Sequence, residues 1–318
     1  MGTHPTTKTP YILSIIKSSH NYIYQLRTPA TSHRGSIPES QIHVPFLFRA
    51  FGQITHRHVL VHIISTFTEL QGMNDHFRLC PFDSIQSDIS KLDEKLMSHS
   101  FKFGVGFIGQ GQTTEAEMLS NQWDDTTPEF KDFLNILGQS IRLKGWSKYR
   151  GGLDVRNDLS GTTSVYTEWK GYDIMFHVAP LLPHSTTDTQ QLEKKRHVGN
   201  DVVVILYQDT ASTSDDVSGF KLSTLRSKQN HVVFLVHPVK TEETTAYSLT
   251  ILSKKEVGEF LPQVPEPCLL RNDDASREFL FQKLVNAERS CHCVPIFANK
   301  LKKTRELLLQ EIIDTYQK

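Results

Sequence analysis

Long apolar runs are what this 318-residue sequence most plainly lacks. None approaches the ~18 consecutive apolar residues that a membrane-spanning helix needs, so no membrane span is expected. The N-terminus has no apolar stretch ahead of a small-residue cleavage site, so no secretory leader is expected. Charge of one sign is missing too. Lys plus Arg and Asp plus Glu number 35 each, and this balance leaves no overall basic field for nucleic acid. Cysteine is sparse: Cys80, Cys268, Cys291 and Cys293 are too few for a disulfide scaffold in a chain of this length. Cys291-His292-Cys293 would make half a metal site, but no second pair with zinc spacing follows it. A reducing, cytoplasmic setting is therefore expected. Three catalytic signatures are also absent: the G-x-x-x-x-G-K-[ST] phosphate loop, the G-x-S-x-G elbow and the H-E-x-x-H zinc helix.

What the chain does contain is regular from about Leu92 onward. Residues 101–108 read as a strand. Residues 113–119 read as a short helix with Thr114 as its cap and Glu115 and Glu117 in the first turn. In residues 128–137 Phe130, Phe133, Leu134 and Leu137 recur at three and four, one apolar stripe of a helix. Residues 164–169 and 172–179 flank Lys170-Gly171, a hairpin signal. Further strands are expected at 232–239 and 247–253, and helices at 276–286 and 298–316. Residues 209–219, rich in Asp, Ser and Thr, read as an exposed loop. Strands interleaved with helices, one pair of them a hairpin, predict an α/β domain: a mixed central sheet flanked by helices over residues 92–318. Residues 1–91 are rich in Thr, Ser, His and Pro, and a divergent, partly disordered segment is expected there, weakest over 1–44. His56, His58 and His62 have a ligand-like spacing, but no carboxylate or cysteine stands ready to complete a metal site, so a packing or surface role is expected.

The segment that organises the rest is 188–208. Asp188 with Gln191 has the spacing of a capping box. Lys194, Lys195, Arg196 and His197 suit the negative end of a helix dipole. Gly199 supplies a stop. Residues 202–206, a continuous aliphatic run, read as a strand buried on both faces. Asn200 and Asp201 thus fall at a helix-to-strand corner beside a cationic cluster. An asparagine there is neither nucleophile nor base. It either caps the helix or, carrying both a donor and an acceptor, orients a water. Gly104, Gly106 and Gly109 match the dinucleotide fingerprint, but they sit within the strand and no helix follows, so a nucleotide cofactor is not expected. Gly151-Gly152 reads as a tight turn in preference to a phosphate cradle.

Several separated motifs, in order, resemble the Rap-GAP domain family of GTPase activators. They are Phe101-Lys-Phe-Gly-Val105, Gly111-Gln-Thr113, Phe133-Leu134, Leu137-Gly138, Tyr149-Arg-Gly-Gly-Leu-Asp154, Ser164-Val-Tyr166, Ile174-Met-Phe-His-Val178, Leu182-Pro183, Lys194-Lys-Arg-His-Val-Gly-Asn-Asp201 and Lys283-Leu-Val-Asn-Ala-Glu288. The resemblance spans residues 92–316. It implies a small-GTPase-like catalytic domain that binds no nucleotide, metal or cofactor itself. GTP and Mg²⁺ would be held by a partner, a Rap-like small GTPase in its GTP-bound state. The family inserts an asparagine thumb into that partner to orient the attacking water, and Asn200 holds the thumb position. The resemblance makes His197 a brace for the thumb or a contact to the GTPase, on the same helical face as Asn200. It makes Lys195, Arg196 and Asp201 candidates for binding the GTPase surface, without giving Arg196 the job of an arginine finger. Ral and Rheb are alternative partners, and a GTPase-binding module without activating ability is the alternative function. The location implied is cytoplasmic, peripheral at membranes only through the GTPase. Residues 1–91 depart from the family's usual N-terminal portion, which in some members dimerises, so a homodimer stays open. Because the chain ends soon after the resemblance, the regulatory domains of longer relatives are expected to be absent.

Overall fold

The computed structural model describes residues 1–45, 54–209, 220–240 and 245–317. The chain forms two compact units, Met1–Met97 with Pro295–Lys318, and Ser98–Val294.

The first unit carries a four-stranded antiparallel sheet in the order β1-β2-β3-β4, from Gly2–Thr3, Pro10–Ser18, Asn21–Arg27 and Ser32–Pro38. The weakly ordered start expected for residues 1–44 is therefore replaced by a sheet. Its apolar partners come from far along the chain: Met1 and Ile12 pack with Ile85, Ile89 and Leu92, and with Leu309, Ile312 and Ile313 of the Pro295–Tyr316 helix. Composition averaged over 1–44 hides this, because those partners lie outside the window. Arg27 closes the same unit. Its side chain is 5% exposed and its fork grips Asp93 at 3.1 and 2.7 Å. The last helix thus joins the N-terminal residues, so the compact units divide the chain differently from the expected break at residue 92. His56 and His58 open the His56–Thr66 helix, where Thr55 caps and the His58 ring accepts the Thr55 N–H. Among the described residues no cluster of three or more His, Cys, Asp or Glu is placed to hold a metal, and no helix is long and apolar enough to cross a membrane.

The second unit is built on an eight-stranded sheet in the order β12-β11-β10-β9-β5-β8-β7-β6. Its members are Ser100–Ile108 (β5), Gln139–Arg142 (β6), Thr163–Trp169 (β7), Tyr172–Val178 (β8), Val203–Gln208 (β9), Val232–Lys240 (β10), Thr245–Ser253 (β11) and Leu269–Leu270 (β12). The central four, β10, β9, β5 and β8, pair in parallel, and the outer strands pair antiparallel. The mixed sheet read from the sequence is what forms, and the β7–β8 hairpin turns at Lys170 and Gly171, both with positive φ.

The two faces of β5 explain its odd composition. Phe103 and Phe107 lie on an aromatic face, where rings of Phe176, Phe130 and Tyr207 meet them. Phe130 comes from the Pro128–Leu137 helix, which starts with Thr127 as cap and Pro128 in its first turn. The alternate positions Lys102, Gly104 and Gly106 face the other way. A Cβ on Gly104 would stand 2.9 Å from Val198 and 3.1 Å from the Asp201 carboxylate. Gly104 lets the chain around residues 198–201 lie directly on the strand, and Gly106 makes room for the Leu206 side chain. The 209–219 loop expected from the sequence falls, from residue 210 on, outside the described residues.

Candidate functional site

The site is the corner between the Leu192–Val198 helix and β9. The helix is shorter than the sequence predicts. Asp188 does accept the Leu192 N–H at 2.6 Å, but Gln191 is itself the N-cap residue, left-handed at φ 48°, with no side-chain cap bond. Its amide is spent on the preceding loop, donating to the Asp188 carbonyl at 2.7 Å and accepting from the Ser185 N–H at 3.0 Å. The expected capping box is thus replaced by a loop that closes on itself before the helix begins. At the other end Gly199 stops the helix with a right-handed φ of −69°, so the glycine is not there for left-handed freedom. A Cβ at this position would collide with the Lys195 carbonyl.

The backbone of the corner is held by three side chains from two places, the 227–230 segment and β5. Asn230 donates to the Val198 carbonyl at 3.0 Å and to the Asp201 carbonyl at 2.7 Å. The Ser227 hydroxyl donates to the Gly199 carbonyl. The Lys102 ammonium donates to the Asn200 carbonyl at 3.0 Å and to Asp201 Oδ1 at 2.7 Å. Four consecutive carbonyls, 198 to 201, therefore each have a side-chain donor. Each such bond contributes about 1 kcal/mol net, and leaving one unmade in a buried place costs more.

Asp201 is the keystone of the inner side. Fully buried, its second oxygen accepts from His177 Nδ1 at 2.8 Å, while His177 Nε2 meets the Gly151 carbonyl at 2.9 Å. The ring is thus held at both nitrogens, by a carboxylate on one side and a backbone carbonyl on the other. The Gly151 turn, φ 62°, thus serves as a ring rest, in keeping with a structural turn. Glu288 completes the cluster. Its Oε2 is shut off from solvent without a hydrogen-bond partner. Burial, and then the Asp201 charge, push its carboxyl up to about 8, with Lys102 opposing.

The residues proposed from the sequence are thus divided. Asn200 is exposed. Its Nδ2 donates to the Arg196 carbonyl at 2.7 Å, which fixes the amide's orientation, since a carbonyl can meet only the nitrogen end. Arg196 is 60% exposed and pairs with Glu193 at 3.3 Å. Lys195 is half-buried and tied to Glu115 at 2.5 Å. His197 and Asp201 are not surface groups. His197 is buried, 3.4 Å from the Ser160 hydroxyl, and burial first, then the charge of His177, lowers it to about 4. It does not share an exposed face with Asn200, because the helix ends at Val198 and helical spacing does not carry on to residue 200. Its carbonyl accepts the Asn200 N–H at 3.0 Å, so any bracing runs through the backbone. Asp201, buried among His177 and Lys102, cannot reach a partner and is corrected from a contact residue to an internal anchor.

Sequence reasoning missed Lys102, His177, Asn230, Glu288 and Lys194. The last sits in the basic run yet is fully buried, donating to the Asn121 carbonyl at 2.7 Å, and burial lowers it to about 8. One signal was available for Lys102: a lysine in an otherwise apolar strand, two residues before the glycine that receives the corner.

The Rap/ran-GAP family profile matches residues 118–306. The chain is 36% identical over 313 residues to the GTPase-activating Rap/Ran-GAP domain-like protein 3 of Danio rerio, covering 96% of this chain and 29% of that protein. An alignment of that extent takes in most of residues 1–91. It is 32% identical over 299 residues to the signal-induced proliferation-associated 1-like protein 1 of Mus musculus, covering 93% of this chain and 16% of that one. The chain therefore spans less than a third of the length of either relative. The solved structure of the TSC2 GAP domain superposes with a TM-score of 0.51 at 28% identity, over 63% of this chain and 99% of that one. With the profile matching more than half of its residues, the chain belongs to the Rap/ran-GAP family.

Proposed function

We propose that this chain is a GTPase-activating protein that inserts Asn200 into the nucleotide site of a GTP-loaded, Rap-like small GTPase and orients the attacking water. The observation that carries the reading is one exposed carboxamide on a corner whose four backbone carbonyls are each fixed from behind. The Nδ2 bond to the Arg196 carbonyl holds the rotamer, and among the described residues Oδ1 makes no hydrogen bond and is free to accept one from water. Phosphoryl transfer asks for little covalent help; it needs an in-line nucleophile and stabilised charge, and activators of this general kind accelerate it by ~10³–10⁵.

GTP and Mg²⁺ stay with the partner, so the chain acts as an activator supplying one residue in trans and holds no cofactor of its own. Arg196 is the better placed of the two basic contact candidates, since Lys195 is already committed to Glu115. His197 and Asp201 serve from inside by fixing the corner. The activating module corresponds to Ser98–Val294, working in the cytoplasm and at membranes only where its GTPase is anchored.

Asn200→Ala should fold with a melting temperature close to wild type and lose stimulated hydrolysis by about 10³-fold while still binding the GTPase. Single-turnover hydrolysis against Rap, Ral and Rheb checks this and ranks the partners. Full stimulation by the variant would sink the reading. One observation favours a second reading, a GTPase-binding module: the Asn200 amide caps the helix, a structural duty sufficient in itself. Measurable binding with no acceleration at saturating wild-type protein would support it.

A further inference from the structure

Gly199 leaves the chain least restrained immediately before Asn200. The packing demands a glycine there, because a Cβ would collide with the Lys195 carbonyl. A residue without a side chain does little to hold the peptide that follows it. That peptide carries the Gly199 carbonyl and the Asn200 N–H. It is planar, so bonds at its two ends fix its orientation. One is the Asn200 N–H donating to the His197 carbonyl at 3.0 Å. The other is the Ser227 hydroxyl donating to the Gly199 carbonyl, a direction that follows because a carbonyl can only accept. The next peptide is held in the same way: the Asn200 carbonyl accepts from Lys102 at 3.0 Å, and the Asp201 N–H donates to the Val198 carbonyl at 3.3 Å. With both flanking planes set, the Cα–Cβ bond of Asn200 has one direction.

The side chains at the corner differ in what else they do. Lys102 also pairs with the buried Asp201 carboxylate at 2.7 Å, and Asn230 reaches the carbonyls at 198 and 201, outside the two peptides that flank Asn200 on its N-terminal side and at its own carbonyl. Among the described residues the Ser227 hydroxyl donates to Gly199 and accepts the Gln229 N–H at 3.0 Å, and it has no other duty. Its segment is placed by other groups: the Arg226 N–H donates to Glu115 at 3.2 Å, and the His231 N–H, just before β10, donates to the Val202 carbonyl at 2.8 Å. Ser227 and Gly199 are both half-buried, so water can meet the Gly199 carbonyl when the hydroxyl is removed. Loss of the hydroxyl then frees the peptide without unfolding the corner. We propose that Ser227 is a positioning residue of the thumb: its hydroxyl restores the restraint that glycine at 199 removes, and through the 199–200 peptide it aims the Asn200 amide. This role rests on the proposed function, since the aim of the amide is read out on the partner GTPase.

The test uses the full chain and measures hydrolysis by GTP-loaded Rap, Ral and Rheb against activator concentration, with melting curves for every variant. Ser227→Ala should lower the saturating rate about 10-fold, less than the ~10² of a full 1 Å displacement, because the Arg196 carbonyl still holds Asn200 Nδ2. KM should stay within about 2-fold, the pattern of an interaction lost in the transition state alone, and the melting temperature should stay close to wild type. Ser227→Thr keeps the donor and should recover the rate to within about 3-fold of wild type. A purely structural brace would instead lower the melting temperature and leave the rate per folded molecule unchanged. Should Ser227→Ala melt early, Ser227→Cys, of similar size with a weaker donor, takes its place. An unchanged saturating rate, a rise in KM alone, or a loss that Ser227→Thr does not recover overturns the proposal. Asn200→Ala run alongside separates the two readings. If it abolishes stimulation while Ser227→Ala keeps the full rate, only the positioning role fails. If Asn200→Ala stimulates fully, or wild-type protein stimulates none of the three GTPases, the proposed function fails and this role with it.

Discussion

Two long-range ion pairs, one in each unit, look alike and do different things. Arg27–Asp93 and Lys102–Asp201 each have N···O distances of 2.7 Å, and each has one partner almost completely buried. In the first the buried partner is the cation, whose planar fork spends its donors on side chains: Asp93, Ser14 and Gln25. In the second the buried partner is the anion, and the lysine divides its donors between the Asp201 carboxylate and the Asn200 backbone carbonyl. A guanidinium is suited to gripping one carboxylate from two directions, whereas an ammonium with three rotatable donors can couple a buried charge to a backbone. The Arg27 pair therefore holds a helix to a sheet, and the Lys102 pair sets the position of one residue.

That contrast can be broken by experiment. Lys102→Met should lower the saturating stimulated rate by about 10²-fold, since a displacement of ~1 Å at a reacting centre costs that much. KM should change far less, and single-turnover kinetics separates the two. Arg27→Met should cost about 2–3 kcal/mol of stability in urea denaturation, toward the low end for a broken buried pair because Asp93 remains partly solvated. Its stimulated rate should match wild type. Equal rate losses in the two variants would remove the distinction.

The smallest effect sharpens the Lys102 side. Glu288, held at about 8 when folded against an ordinary value of 4.5, keeps a proton that the unfolded chain gives up. Between those two values the folded state binds more protons, so stability falls as pH rises from about 4.5 to about 8 and levels off above. Glu288→Gln should flatten this fall and leave the variant about 1–3 kcal/mol more stable than wild type near pH 8. Denaturation at several pH values reads it directly, and an unchanged slope would mean that Glu288 titrates normally.

Much of the second unit was legible because its signals are local. Thr127 and Pro128 start a helix, Lys170-Gly171 turns a hairpin, and the aliphatic run read at 202–206 becomes the buried strand Val203–Gln208. The failures share another character. Gln191 was assigned to a capping box, but a loop six residues back took its amide. The resemblance made Asp201 a candidate for binding the GTPase surface, yet it is buried, and its two partners arrive from β5 and β8, elsewhere in the sequence. Lys194 and Lys195 are neighbours with identical side chains, one buried and one half-exposed, and helical rotation alone decides which is which.

By itself the sequence determined the layered architecture, the place of the helix-to-strand corner and the residue at its tip. These follow from periodicity, capping and β-branched runs, all of which act over a few positions. Only the tertiary structure decided which charged groups turn inward, that the first 44 residues form a sheet, and what holds the corner still. Each of those depends on partners supplied from elsewhere in the chain, and desolvation makes a buried charge tolerable only where such partners meet it.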